Sequence, residues 1–211
     1  MIKVGIFGTS GFAREVGDIA CALDLSPLYI ARDQRELDVW NFAGEAILES
    51  DLPHFKHIGF AIGIGENDIR QRIVKRFSGQ LRFINLIHPS STFGQGQRQA
   101  IECSQGVIIC AGVRFTNSIK VGDFNIFNLN STIGHDVITE DFVNVAPGVN
   151  ISGNVHLEAR CWVGTGAAIN QGSIDTKLRI GADTVIGSGS VVIKSCEPNS
   201  IYVGIPAKRI K

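Results

Sequence analysis

The residues best suited to chemistry in this chain are Gly134-His135-Asp136. An imidazole changes charge near neutral pH, so His135 could take a proton from an attacking amine or hydroxyl. The adjacent Asp136 carboxylate could orient the ring or support its charged form. A solvated surface histidine is the other reading, and these residues alone leave both open. The remaining histidines have weaker settings. His54 and His57 flank a Pro/Phe loop, His88 precedes a proline, and His156 is either a second site residue or simply exposed. A shared metal would need three convergent histidines, and none lies within a few residues of His135, so no metal is expected. The five cysteines have no CxxC spacing and are odd in number, which disfavours a disulfide framework or zinc knuckle and favours a reducing cytoplasm.

The scaffold under His135 is a repeat. From Val121 to Ile174 an aliphatic or similar residue returns every six positions: Val121, Phe127, Ile133, Thr139, Val145, Ile151, Leu157, Val163 and Ile169. The fifth positions are mostly small or β-branched, from Ser131 and Val137 to Cys161 and Ser173. A sandwich, with inward residues every second position and turns of varying length, does not explain this. A parallel β-helix of hexapeptide repeats does: six residues make one strand and one corner, and three such sides make a coil of a triangular prism. Inward residues then stack on their equivalents at the ordinary inter-strand spacing of about 4.8 Å. His135, third in its hexad, faces out of the coil, as does His156 in a sixth position. Cys161 faces in and is expected to pack rather than react. Ile101, Val107 and Val113 extend the period backward, with Ile119 and Lys120 as two extra residues absorbed by a corner bulge. Asp175 to Arg179 interrupt it before it resumes at Ile180, Ile186 and Val192. That interruption is a loop whose Lys177 and Arg179 could serve a site or an interface.

Residues 1–90 read differently, as a small Rossmann-like α/β domain, with residues 91–211 as the β-helix. Lys3 to Phe7 is an apolar strand running into Gly8-Thr9-Ser10-Gly11, followed by helical spacing from Phe12 to Leu25. A glycine-rich turn between strand and helix suits phosphate, and a tight turn that needs glycine for geometry alone is the other reading. Leu28 to Ala31 is a second strand ending in Arg32-Asp33, where an acidic residue often meets a ribose or base. Phe60 to Ile64 is a third, continuing into Gly65-Glu66-Asn67. Asp68 to Phe77 is helical, and Leu81 to Ile87 is a fourth strand. Ser90 to Ala100 reads as a link. Ninety residues suit a mononucleotide-sized pocket and disfavour NAD.

The chain has 211 residues, with 20 basic and 20 acidic side chains, so no field points to nucleic acid or an anionic membrane. No apolar run reaches membrane length, and Met1 enters a strand directly, so neither span nor signal peptide is expected. The 24 glycines suit many positive-φ corners.

The hexapeptide run, the closing Gly204-Ile-Pro-Ala-Lys208 and the Gly134-His135-Asp136 corner resemble the left-handed β-helix acyltransferases. Phe7-Gly-Thr-Ser-Gly-Phe12, Ala61 to Arg70 and Leu86-Ile-His-Pro-Ser90 are similar to the bacterial sugar O/N-acetyltransferase family. That family includes nucleotide-linked 4-amino-sugar N-acetyltransferases and sialic acid O-acetyltransferases. The resemblance implies a homotrimer with active sites between prisms and acetyl-CoA as co-substrate. It makes His135 the base and Asp136 its partner. Asn144, Gly153, Thr165, Gly187 and Lys208 would face acetyl-CoA, with a backbone N–H near Gly153 at the oxyanion. Gly8, Ser10, Gly11, Asp33, Gly65 and Asn67 would face the sugar nucleotide. Asn144 stands where the family often has a second histidine, and it cannot titrate. Phe124, Phe142 and Trp162 would offer apolar surface to neighbouring prisms. The implied activity is N-acetylation of a nucleotide-linked 4-amino-4,6-dideoxy sugar in polysaccharide precursor synthesis. O-acetylation of a sialic-acid-like sugar and a non-catalytic trimeric module that binds sugar nucleotides are the alternatives.

Overall fold

A computed structural model describes residues 1–211. Its N-terminal part is a parallel sheet of β1 (Ile2–Phe7), β2 (Leu25–Ala31), β3 (Glu45–Leu48), β4 (Gly59–Ile62) and β5 (Arg82–Phe83), in the order β3-β2-β1-β4-β5. Helices α1 (Gly11–Ala22), α2 (Gln34–Asp38) and α3 (Asn67–Phe77) connect the strands. The chain order reverses between β1 and β4, the place where doubly wound sheets hold ligands. Helix α1 buries Ala13, Val16, Ile19 and Ala20. It crosses β2 so closely that a Cβ on Gly17 would lie 1.9 Å from the Tyr29 hydroxyl. Strand β3 and helix α2 carry no clear period in the sequence. Each is too short, four and five residues, to show one.

The strand expected over Leu81 to Ile87 divides in two. Arg82–Phe83 closes the N-terminal sheet, whereas Leu86–Ile87 pairs with Ile108–Ile109 as the first rung of the prism. The prism therefore starts ahead of residue 91. The segment read as a link, Ser90 to Ala100, contains a second rung, Thr92–Phe93, and the start of α4 (Gln97–Glu102). Phe115 pairs with Ile133, Val121 with Thr139 and Ile109 with Phe127. Ile109, Phe115 and Val121 thus hold first positions, and Val107, Val113 and Ile119 are fifths. The period runs unbroken from Val107 to Ile169, and no bulge precedes Val121.

Three parallel sheets form the faces of the prism, in the left-handed β-helix arrangement. The first face has eight strands, from Leu86–Ile87 to the antiparallel Lys208–Arg209. The second has six, from Thr92–Phe93 to Val191–Val192, and the third four, from Lys120–Val121 to Leu178–Ile180. Corners fall at the fourth residue of each hexad, which adopts the left-handed conformation: Phe124, Asn130, Asp136, Phe142, Asn154 and Arg160. Glycine was expected at these corners but holds only some, such as Gly148 and Gly166. The left-handed conformation costs a non-glycine residue roughly 1–2 kcal/mol. A hydrogen bond to the preceding coil offsets part of that: Asp136 N–H donates to the Asn117 carbonyl, and Asn154 N–H to the His135 carbonyl. Leu157 pairs with Ile180, where the period alone would place Asp175, which locates the five-residue insertion.

The N-terminal domain sits on the first face. Ala13, Val16 and Ile19 pack with Leu86, Ile108 and Ile126. Phe83 meets Phe124 edge-on, and Phe124 stacks on Phe142 at 5.2 Å. Phe124 and Phe142 are therefore buried under the chain's own domain rather than offered to a neighbour. Arg70 of α3, only 1% exposed, donates from Nε to the Phe124 carbonyl, from Nη1 to Gly65 and from Nη2 to Phe142. No helix is long and apolar enough to cross a membrane.

Candidate active site

His135 projects from the corner where the second face turns into the third. Its Nδ1 lies 2.7 Å from Asp136 Oδ2. A carboxylate there favours the tautomer with hydrogen on Nδ1, leaving a lone pair on Nε2. The ring is 51% exposed, open to a substrate. It lies against Gly153 of the next coil, where a Cβ would sit 2.4 Å from Nε2, so no other residue leaves room for the ring. At some corners the third-position N–H is taken by a side chain: Asp123 N–H donates to Asp141, Leu129 N–H to Asn128 and Ala159 N–H to Glu140. The Gly153 N–H donates to no group of the chain. An unclaimed backbone donor beside a basic nitrogen is suited to a developing oxyanion.

Both interruptions of the prism lie on this same corner. Helix α4 precedes it, and the insertion after Ile169 follows it and folds back. From that insertion the Lys177 Nζ reaches the Asp136 carbonyl at 2.5 Å and Asn154 Oδ1 at 2.7 Å. His156, on the third face, pairs with Glu140 at 3.0 Å and is not part of the His135 cluster. Cys161 is fully buried and donates to the Gly181 carbonyl, and burial pushes its thiol up to about 12. It packs, as its inward position implied. No group of three or more His, Cys, Asp or Glu residues is placed to hold a metal ion.

The residues expected along acetyl-CoA divide between two edges. Gly153 is with His135, whereas Asn144 and Thr165 line a cavity of about 320 Å³ with Phe12, Glu15 and Trp162 at the junction of the first face and the N-terminal domain. Asn144 is nearly buried and donates through Nδ2 to the Gly65 carbonyl at 2.8 Å, so its amide joins the two domains. Gly187 adjoins that cavity, and its N–H is used by the Tyr202 carbonyl. Lys208 pairs with Val203 in a terminal antiparallel hairpin.

A second cavity, of about 540 Å³, opens at the carboxyl ends of β1, β2 and β4. Gly8, at φ +111°, and Ser10, which precedes α1 without capping it through its side chain, lie on its wall. Arg32, Arg72 and Arg76 line it as well, together with Glu36, Glu49 and Glu66, and Arg32 and Arg76 pair with Glu36 and Glu49. A helix N-terminus with several guanidiniums suits phosphate oxygens. Gly11 begins α1 beside this wall. Asp33 does not line the cavity: it accepts the Glu36 N–H at 3.1 Å and pairs with Arg32. Those contacts, the Glu36 N–H foremost, hold its carboxyl below the usual range. Arg32, its neighbour, takes the place expected of Asp33. Gly65 and Asn67 sit at the domain junction instead, where Asn67 Nδ2 donates to the Arg160 carbonyl at 2.6 Å. The arginines of α3 were visible as basic residues between apolar ones, but only the fold turns Arg72 and Arg76 toward the strand ends.

Residues 3–77 match the PglD N-terminal domain family. The whole chain is similar to GDP-perosamine N-acetyltransferase from Escherichia coli O157:H7, at 29% identity over 98% of this chain and 96% of that one. Among solved structures, WeeI from Acinetobacter baumannii AYE superposes with a TM-score of 0.85 at 26% identity, each chain covered completely. PerB from Caulobacter crescentus, solved in complex with CoA and GDP-perosamine, superposes with a TM-score of 0.84 at 23% identity, covering 99% of this chain and 97% of that one. At that identity PerB shows the shared fold alone.

Proposed function

We propose that this chain, an acyltransferase of the hexapeptide left-handed β-helix type with acetyl-CoA as co-substrate, N-acetylates a nucleotide-linked 4-amino-4,6-dideoxy sugar. The observation that carries the mechanism is the free Nε2 of His135, whose ring is seated over the Cα of Gly153, a residue with an unclaimed N–H. In this reading the sugar amine attacks the thioester carbonyl carbon directly, and His135 Nε2 takes the proton that the nitrogen loses. Asp136 supports the imidazolium through Nδ1–H. The Gly153 N–H holds the oxyanion, and CoA leaves as its thiolate, which takes up the proton from His135. No side chain beside His135 serves as an acyl carrier. The arginine-lined cavity of the N-terminal domain takes the diphosphate. A GDP-linked sugar is the first candidate, since the relative similar over its whole length is a GDP-perosamine enzyme by name.

A homotrimer follows in the same reading. The His135 corner is opposite the first face, which carries the N-terminal domain and both of its cavities. A chain alone cannot bring them together. If the His135 edge of one prism met the Asn144–Thr165 edge of the next, the site would be complete, and such a heterologous contact closes as a ring. A cytoplasmic location and a role in polysaccharide precursor synthesis fit these substrates.

The test is CoA-thiol release from acetyl-CoA with GDP-, UDP- and dTDP-linked 4-amino sugars and with sialic acids. Release with an amino-sugar nucleotide, and its fall by about 10²–10⁴-fold in His135→Ala, is expected. Undiminished turnover in that variant refutes the base assignment. Release only with sialic acids moves the reading to O-acetylation. Nucleotide-sugar binding without turnover makes the chain a binding module.

A further inference from the structure

Lys177 has no part in the reaction as derived above, yet it is the one side chain of the insertion that reaches the His135 corner. Its Nζ spans the Asp136 carbonyl and Asn154 Oδ1, at 2.5 and 2.7 Å. Asn154 in turn donates through Nδ2 to the carbonyl of Ser173, at the other end of the insertion. The backbone closes the same fold-back, since Leu178 N–H donates to the Asn154 carbonyl and Ser173 N–H to that of Thr176. Asp136 and Asn154 are corner residues one coil apart on the same edge, both in the left-handed conformation at φ +59° and +58°. Each follows directly on a residue that the reaction uses, His135 and Gly153, and the His135 ring is seated on Gly153.

We propose that Lys177 is a positioning residue for the His135–Asp136 pair, bracing the corner from the loop rather than touching substrate. This rests on the acetyltransferase reading for its kinetic part and is independent of it for its structural part. The ammonium bonds to the carbonyl of Asp136, so it fixes the peptide that carries the carboxylate without competing for the carboxylate oxygens. With that peptide held, Oδ2 stays on His135 Nδ1, and the ring keeps the tautomer that leaves Nε2 free. An exposed histidine without such a partner has no reason to hold that tautomer. The corner is also exposed, with the His135 and Asp136 side chains about half accessible, so neighbouring packing does little to hold either rotamer. The charge-assisted contacts of Lys177 replace that packing. Elsewhere on the insertion, Ile174 is 98% exposed and supplies a control position.

The experiment compares Lys177→Met, Lys177→Arg and Ile174→Ser in the full-length protein. The first readout is the ¹⁵N shift pattern of His135 at about pH 8.5, assigned by its loss in His135→Asn, which reports the tautomer without any substrate. The second is steady-state kinetics with acetyl-CoA and the amino-sugar nucleotide. Lys177→Met is expected to move His135 from the Nδ1–H pattern to the ordinary Nε2–H mixture. It is also expected to lower kcat about 10-fold or more with both KM values within about 2-fold, because a misplaced base loses rate rather than affinity. Lys177→Arg should recover most of both readouts, and Ile174→Ser should change neither. An unchanged tautomer in Lys177→Met overturns the proposal. So does a rise in KM with kcat intact, which would make Lys177 a substrate contact. Absence of turnover in the unaltered protein would count against the acetyltransferase reading alone, and the tautomer comparison would still decide the role of Lys177.

Discussion

Arg70→Met should uncouple the N-terminal domain from the prism, and the cost can be worked out from its contacts. The guanidinium is buried without a salt bridge, and loss of hydration, offset in part by the charge of Glu66, pushes its pKa down to about 9, so it remains charged at neutral pH. It donates to the carbonyls of Gly65, Phe124 and Phe142. In the variant the Gly65 carbonyl keeps its bond from Asn144, but those of Phe124 and Phe142 have no other donor. Each unpaired buried carbonyl costs about 1–3 kcal/mol. The variant gains something back, because no cation has to be buried. The net expectation is about 3 kcal/mol, or a fall of about 6–12 °C in Tm for a chain of this length. Lysine presents one point charge instead of a fork, and should restore less than half. Calorimetry reads the stability, and the KM for sugar nucleotide reads the docking of the domain. A variant melting within about 2 °C of the parent with an unchanged KM would refute the account of Arg70 as the clamp between the two parts.

Gly153→Ala places a Cβ within 2.4 Å of His135 Nε2, so the ring must leave its seat; kcat should fall about 10–100-fold with Tm changed by only a few degrees. Equal turnover in the two proteins would separate Gly153 from the base. Glu158 is held below the usual carboxyl range chiefly by Arg179, with the Ala182 N–H adding to it. A depressed folded-state pKa contributes stability above the unfolded value, near 4.5, that is lost as pH falls below it. Arg179→Met should therefore flatten the acid limb of the urea midpoint plotted against pH, by a small amount because Arg179 is largely exposed. An identical acid limb in the variant would remove this pair from the acid stability of the protein.

The repeat was legible because the prism asks the same thing of every coil. An inward first residue and a small inward fifth leave a period that survives any substitution at the outward positions. The register before Val121 was harder to read. Val107, Val113 and Ile119 are as aliphatic as first-position residues, and only their pairing through Ile109 and Phe115 shows that they are fifths. Corner composition was also deceptive. Left-handed corners usually call for glycine, but inter-coil hydrogen bonds let Phe124, Asp136 and Arg160 hold the conformation.

His135, its outward direction and its acidic neighbour follow from hexad position alone, since the third residue of a corner has nowhere else to point. Gly153 as the seat of the ring depends on the residue eighteen positions on, one coil away, and the constant period makes that computable from the chain. The remaining parts of the site were decided by tertiary contacts. Asp33 and Asn67 have the right chemistry for a ligand, but one caps α2 and the other binds a prism carbonyl. Phe124 and Phe142 look like surface for a partner until α3 and β5 cover them. Lys177 reaches the Asp136 corner only because the insertion folds back across two coils. Local sequence carries the rules of a repeating coil, but the path of an insertion and the docking of a separate domain depend on contacts between distant residues, and those have no period to read.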